Sequence, residues 1–325
     1  MIYVRSANQI SMQRPLSEEW MRNPVVCQEP FCKAQDPDFS PFVSAGEGRR
    51  MGKVLKRALA VSLQTLRYSG IEHPDAIITG TGLGSVESTE AFLTDMCQNG
   101  EQLLKPTHFM QSTHNTIGSL VAIHTKSHGY NATYSHKQIS FESALYDAYL
   151  MLKAGDASNV LVGGHDGTTQ KYFHLLELIG YVGNGMSGTC SEAAMAALLT
   201  TEKTADSLCQ LGWVKLLHRP TDEDWQKAME RVPVTGNLVV LTGENGQTVN
   251  DQLYQQLLTK LMPGVRTMRY KHLFGECYSA SALGFYAAAH ILSGADSSYD
   301  DVEDILLLTL DRQGDAAMTL LTKNK

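Results

Sequence analysis

No stretch of this chain stays apolar for the roughly 18 residues that a membrane-spanning helix needs, which excludes that class of protein. Residues Met1 to Pro15 lack the charged-then-apolar pattern of a secretory leader. Positive charge is scarce: 27 Lys and Arg face 34 Asp and Glu, for a net charge of −7. Such a surface argues against nucleic acid or an anionic membrane as a partner. Cysteine is sparse and unpatterned. Cys27, Cys32, Cys97, Cys190, Cys209 and Cys277 form no CxxC and no Cys/His set with zinc spacing. They are expected to be reduced thiols in a cytoplasmic protein. His114, His124, His128 and His136 do not flank a carboxylate at helical spacing, so no metal site is expected. Gly80-Thr-Gly-Leu-Gly84 falls short of G-x-G-x-x-G, since Ser85 and Val86 are followed by Glu87, and it reads as a tight strand-to-helix crossing rather than a nucleotide loop. No cofactor is implied.

What is present is an alternation of strands and helices in a composition that is 43% hydrophobic and 19% charged. Ile2 to Val4 reads as a first strand and residues 14 to 47 as a long surface-hugging connection. Helical spacing of Met51, Leu55, Leu59, Ser62 and Leu66 predicts a helix over 49–68, ended by Gly70. A buried strand at 76–79, a helix at 87–97 and an apolar-period segment at 115–126 follow. Residues from His165 to Gly188 read as loop, 192–201 as a small-residue strand, and 203–235 as a surface excursion with a helix at 225–230. A strand at 238–241, a helix at 251–261, a loop at 271–276, a helix at 280–292 and strands at 305–310 and 316–321 complete the pattern. The alternation runs twice, which predicts a layered α/β fold.

The centre of the chain is the stretch from Asn131 to Gly164. A β-type run, Asn131 to Tyr134, enters a turn; an apolar helix follows from about Ile139 to Lys153; a strand at Asn159 to Val162 closes on Gly163-Gly164. A strand, turn and buried helix in this order hold one side chain at a helix N-terminus, where the dipole favours a thiolate. The residue held there is Gln138, and a primary amide is a poor nucleophile.

These landmarks resemble, in order, those of the β-ketoacyl synthases. The 131–164 stretch is similar to the segment that carries their nucleophilic Cys. Phe109-Met-Gln-Ser-Thr113 resembles the Phe-x-x-Ser-Thr run upstream, Ala76 to Gly84 the glycine-ended strand, and Gly188 to Glu202 the Gly-Glu-Gly-Ala region. Val240 to Asp251 and Lys271 to Glu276 resemble the loops that carry the two catalytic His. The resemblance implies a thiolase-like fold: a five-layered α-β-α-β-α sandwich of two duplicated halves, with 1–202 holding the degenerate nucleophile turn and 203–325 the degenerate His loops.

The departures carry the functional expectation. Gln138 stands where the family has Cys, Gly243 (or its neighbour Glu244) where it has the first His, and Glu276 where it has the second; Lys271 is retained. The gating Gly-Phe-Gly-Gly loop is replaced by Asp311-Arg-Gln-Gly314. Without a thiolate there is no acyl-enzyme, and without two imidazoles the thioester carbonyl and the enolate lose their stabilisation. Within the superfamily, a Gln for Cys resembles the chain length factor subunits of type II polyketide synthases, and Gln111 to Thr116 resembles those of aryl polyene, flexirubin and dialkylresorcinol pathways. This implies a heterodimer with an active ketosynthase acting on acyl carrier protein. In it, Asn131 to Tyr134 would pair across the interface, and Phe109, Thr113, Lys137 and Phe141 would line or limit the acyl tunnel. The alternatives are a malonyl-ACP decarboxylase or acyltransferase with a non-standard site, for instance at Cys277, and a scaffold docking acyl carrier protein on Arg49, Arg50, Lys53, Lys56 and Arg57.

Overall fold

The computed structural model describes residues 1–102, 104–180, 182, 188–233 and 236–324. In chain order the elements are β1 (Ile2–Ile10), α1 (Ala45–Gly48), α2 (Lys53–Ser69), β2 (Ala76–Gly80), α3 (Val86–Asn99), α4 (Pro106–Ser112), α5 (Thr116–Thr125) and β3 (Tyr130–Tyr134). Then come α6 (Ser140–Ala154), β4 (Asn159–Asp166), α7 (Gln170–Leu178), β5 (Ala193–Thr200), β6 (Cys209–Leu217), α8 (Asp222–Met229) and β7 (Leu238–Thr242). The chain closes with α9 (Thr248–Leu261), β8 (Arg266–Arg269), α10 (Lys271–Phe274), α11 (Ala280–Leu292), β9 (Asp304–Leu310) and β10 (Ala316–Thr322).

The strands run in the order β3-β2-β4-β5-β1-β6-β10-β9-β7-β8. The order β3-β2-β4-β5-β1 recurs five strands later as β8-β7-β9-β10-β6, with the same parallel and antiparallel pairings. The two sets meet through three residue pairs of β1 and β6: Ile2 with Leu211, Tyr3 with Gln210, and Val4 with Cys209. Helices α6 and α11 lie between the sets, since α6 packs on β2, β4 and β6, and α11 on β1, β5 and β9. Their apolar residues build the main core with Phe141, Ala144, Leu145, Leu283 and Phe285. Outside one set, α2 and α5 cover β2, β4 and β5; outside the other, α8 and α9 bring Trp225 and Tyr254 onto β7 and β9. This is the expected five-layered thiolase-like sandwich.

Gly164 shows why the buried strand β4 carries a glycine near its end. A Cβ there would lie 2.5 Å from the Ala282 Cβ on α11 and 3.3 Å from the Phe141 ring, so only glycine lets both inner helices close on β4.

Several expectations need correction. The excursion at 203–235 contains β6, the strand that joins the two sets, buried on both sides by β1 and β10. The loop from His165 to Gly188 contains the end of β4 and helix α7; its residues 181 and 183–187 lie outside the described set. β1 continues to Ile10, β8 was not foreseen, and Lys271 to Phe274 is a helical turn rather than loop. Cys27 and Cys32 lie side by side with Cα atoms 6.5 Å apart, while Cys97, Cys190, Cys209 and Cys277 are free.

Candidate functional site

β3 ends in a turn that the sequence builds from short hydrogen bonds. The His136 amide donates to Ser140 Oγ at 2.8 Å, and that hydroxyl donates to the Lys137 carbonyl at 2.7 Å. Lys137 takes the left-handed conformation, φ 48°, which reverses the chain between β3 and α6. Gln138 follows it, half-buried in the single 3-10 turn Lys137–Ile139 that opens onto α6. The scaffold expected of a nucleophile turn is therefore present, with the amide at its apex.

One turn further along α6, on the same face, lies Glu142. Its side chain is buried, and its Oε2 accepts from Ser281 Oγ of α11 at 2.9 Å. Burial pushes its carboxyl up to about 7, against the opposing pull of Thr309, its own amide, Ser281 and the Lys271 ammonium. Sequence reasoning missed Glu142; its i+4 relation to Gln138 on an apolar helix was the available signal. The folded state holds the proton more tightly than the unfolded chain, whose glutamates titrate near 4.5. The contribution of Glu142 to stability is then fullest below about pH 4.5, declines as pH rises to about 7, and levels off, a total of about 3 kcal/mol. Glu142→Gln is expected to remove that decline, checked by urea denaturation at pH 5 and pH 8.

Lys271 points at Glu276 rather than at an open pocket. Its Nζ donates to Glu276 Oε2 at 2.7 Å, and the two side chains are 8% and 10% exposed. Asn245 Nδ2 donates to the same oxygen at 2.7 Å, and Asn250 Nδ2 bonds Asn245 Oδ1 at 3.1 Å. The loops bearing Gly243 and Glu276 thus converge as expected, but onto a closed ion-pair network. The negative charge of Glu276 is already answered by Lys271. Removing one partner strands the other charge: Lys271→Ala is expected to cost about 3–5 kcal/mol, whereas the double Lys271→Met/Glu276→Leu should be near neutral in the same denaturation assay.

Gly243 cannot be read as a simple loss. A Cβ at this position would collide with the Tyr254 hydroxyl and come within 3.2 Å of the Tyr270 hydroxyl. Tyr254 is fixed there because its oxygen accepts the Leu310 amide at 3.0 Å. Its neighbour Glu244 turns away, bonding Thr242 Oγ1 at 2.8 Å and pairing with Arg269.

Beside Glu276 there remains a cavity of about 20 Å³, bounded by Leu83, Asp166, Thr168, Cys190, Cys277 and Tyr278 among others. One ordered water takes about 10–15 Å³ on this measure, so the space admits a water or two and no acyl chain. Cys277, at its wall, is not poised as a nucleophile: burial first, then the carboxylates of Asp166 and Glu276, push its thiol well above the ordinary range.

The remaining expected residues fall in different places. Phe109 is 57% exposed on α4 and packs on Phe92, ring centres 5.5 Å apart. Thr113 is exposed at the end of α4, bonded to Thr116 Oγ1 at 2.8 Å, and Lys137 is exposed on its turn. Phe141 is fully buried against Phe285, part of the core rather than of a surface. Arg57, grouped with the basic docking residues, is buried and pairs with Asp36 and Glu192. The glycine-rich turn at 80–84 is no anion cradle: the Gly82 and Leu83 amides donate to the Asp166 carboxylate at 2.9–3.1 Å. Among the described residues no cluster of His, Cys, Asp and Glu could hold a metal, and no helix is long and apolar enough to cross a membrane.

Comparison with known proteins follows the same lines. The chain is similar to a chain from AntDE:AntF, a type II polyketide synthase acyl-carrier protein in complex with its ketosynthase bound to the hexaketide (TM-score 0.84, 13% identity, 99% of each chain). It is similar to the ishigamide ketosynthase/chain length factor (TM-score 0.83, 15% identity, 100% of this chain and 99% of that one). It is also similar to a chain of the ketosynthase ApeO in complex with its chain length factor ApeC from Xenorhabdus doucetiae (TM-score 0.78, 13% identity, 99% and 98%). At these identities the likeness is one of fold. No curated protein sequence matches. Residues 18–238, more than half of the chain, match the family profile of the beta-ketoacyl synthase N-terminal domain, and the chain therefore belongs to the β-ketoacyl synthase family.

Proposed function

We propose that this chain is a non-catalytic ketosynthase-like subunit of the chain length factor kind. It pairs with an active β-ketoacyl-ACP synthase and helps shape that enzyme's acyl tunnel during polyketide, polyene or fatty-acyl elongation in the cytoplasm. The observation that carries this reading is the occupied site: an amide at the nucleophile turn, Gly243 walled by Tyr254, and Glu276 locked to Lys271. The halves 1–202 and 203–325 keep the architecture while the chemistry is absent.

The sheet edges support pairing. β8, at one end, carries Arg266 and Arg269, charges that discourage strand addition. β3, at the other end, reads Tyr-Asn-Ala-Thr-Tyr, uncharged and rich in β-formers, and has a strand neighbour on one side only among the described residues. Exposed Phe109 and Met110 on α4, with Thr113 and Lys137, are the candidates for contact with the synthase and its tunnel.

Glu142 favours a second reading, a malonyl-ACP decarboxylase or acyltransferase, because a carboxyl held near neutrality one turn from Gln138 suits proton transfer. The filled site opposes it. The test is co-expression with a Cys-His-His synthase, followed by co-purification and assay with malonyl- and acyl-loaded carrier protein. A stable complex whose condensing activity needs both chains is the expected result. A monomer with no effect on the synthase, or decarboxylation by the isolated chain, overturns it.

A further inference from the structure

The connection between β1 and α1 carries the two cysteines that lie side by side, and it is laid against the loops of the candidate site. Cys27 and Cys32 have Cα atoms 6.5 Å apart, inside the window of roughly 4.4–6.8 Å in which a bridge closes without backbone movement. Both are partly exposed, and residues 28–30 between them are exposed, so small solutes reach the pair. Cys190, Cys209 and Cys277 do not compete: burial is the first cause that pushes each of these thiols up, Cys190 to about 12.

The two ends of this short loop are fastened to different parts of the site. Before it, the buried Gln13 side chain holds Val25 twice: its Oε1 accepts the Val25 amide at 2.8 Å and its Nε2 donates to the Val25 carbonyl at 2.9 Å. The same Nε2 donates to the Leu273 carbonyl in α10. Toward its end, the Cys190 amide donates to the Pro30 carbonyl at 2.8 Å, the Cys32 amide to the Cys190 carbonyl at 2.9 Å, and the Ser191 hydroxyl to the Cys32 carbonyl at 2.7 Å. On the far side of Cys190, the Glu276 amide donates to the Thr189 carbonyl at 2.8 Å and the Ser191 amide to the Glu276 carbonyl at 2.9 Å. Phe31, Cys190 and Glu276 thus form a narrow three-stranded ribbon, with the cysteine loop on one edge and the partner of Lys271 on the other.

We propose that Cys27 and Cys32 are a reversible thiol–disulfide pair whose oxidation tightens this ribbon against Glu276. A low-molecular-weight disulfide is the oxidant. One cysteine thiolate attacks a sulfur of that disulfide, releases one small thiol and is left in a mixed disulfide. The other cysteine thiolate attacks the protein sulfur and displaces the second small thiol. Two protein thiols are oxidised, one small disulfide is reduced to two thiols, and the two cysteine protons pass to the leaving sulfurs. The bridge restricts the chain when the ribbon opens, so opening becomes rarer. In a reducing compartment such a pair rests as thiols and closes on oxidation. The switch concerns the ribbon alone and stands whether or not the pairing proposed above holds.

Glutathione disulfide is the probe, on the reduced full-length chain with any co-purifying partner left bound. Alkylation and peptide mass spectrometry are expected to find Cys27 joined to Cys32 and reopened by excess glutathione, while Cys190, Cys209 and Cys277 stay reduced. Hydrogen exchange of the amides of Cys190, Ser191 and Glu276 is expected to slow about ten-fold on oxidation, within the range for a bridge that closes a short loop. Cys27→Ser should leave a glutathione adduct on Cys32 and abolish the slowing; Cys97→Ser, on the exposed thiol of α3, should keep it. A pair that stays reduced at every ratio of glutathione disulfide to glutathione overturns the proposal. So does a bridge that leaves exchange unchanged, or a slowing that survives in Cys27→Ser. The wild-type measurement decides even where a variant fails to fold.

Discussion

Thr133→Pro is expected to strip the chain of the proposed synthase partner while leaving it folded. Tyr134 directs its carbonyl toward β2, where it accepts the Thr81 amide at 3.0 Å. In a parallel ladder successive residues alternate sides, so the Thr133 amide points outward, to the free side of the edge. Proline removes that donor and places its ring in the path of an added strand. The loss should reach at least about 2 kcal/mol, or roughly thirty-fold in co-purified synthase. The monomer loses less, because only the Thr133 to Thr79 hydroxyl bond, 3.0 Å, is removed within the chain. Thr133→Val is the control: it lacks the same hydroxyl but keeps the amide, and it should retain the partner. A Thr133→Pro chain that still binds the synthase would move the interface away from β3.

The second large effect is on stability. Gly243→His, which places an imidazole where the resemblance expects the first His, is expected to destabilise the chain by about 3 kcal/mol, the range for forcing a side chain into a filled interior. The cause is the Tyr254 hydroxyl, held in place by the Leu310 amide and occupying the volume a Cβ needs. Tyr254→Leu in the same chain should recover part of the loss. Urea denaturation midpoints check both. Condensing activity is expected to be absent in Gln138→Cys/Gly243→His/Glu276→His as well, since the Tyr254 hydroxyl occupies the volume an imidazole at 243 needs. Full stability in Gly243→His alone would show that the pocket has room after all.

The fold was legible where burial gives a strong period. Helix α2, helix α11 and strands β2, β7, β9 and β10 follow their apolar spacing closely. β6 was not, because Cys209 to Leu217 is interrupted by Gly212 and Lys215 and lies among polar flanks. Its identity as a strand depends on β1 and β10 lying on either side, a tertiary fact. α7 was missed for a related reason: Leu175, Leu178 and Ile179 are exposed, so its apolar residues do not mark a buried face. At the site, the expectation at Gln138, Gly243 and Glu276 rests on the residues themselves and on the order of the motifs. What fills the space could not be read from either. Tyr254 and Glu142 arrive from α9 and α6 and belong to no motif, and the Lys271 ion pair requires that α10 turn its first residue back toward Glu276.

The three residue pairs that join β1 to β6 also bear on how the chain can assemble. β1 is hydrogen-bonded on one side to β5 and on the other to β6, partners that follow it by roughly 200 residues, so its backbone is satisfied only after most of the sequence is available. The middle of the sheet thus waits for chain made long after its first strand. A slow, late step in refolding is the kinetic signature expected of that arrangement, and deletions within residues 2–10 should remove the strand through which the two sets are hydrogen-bonded.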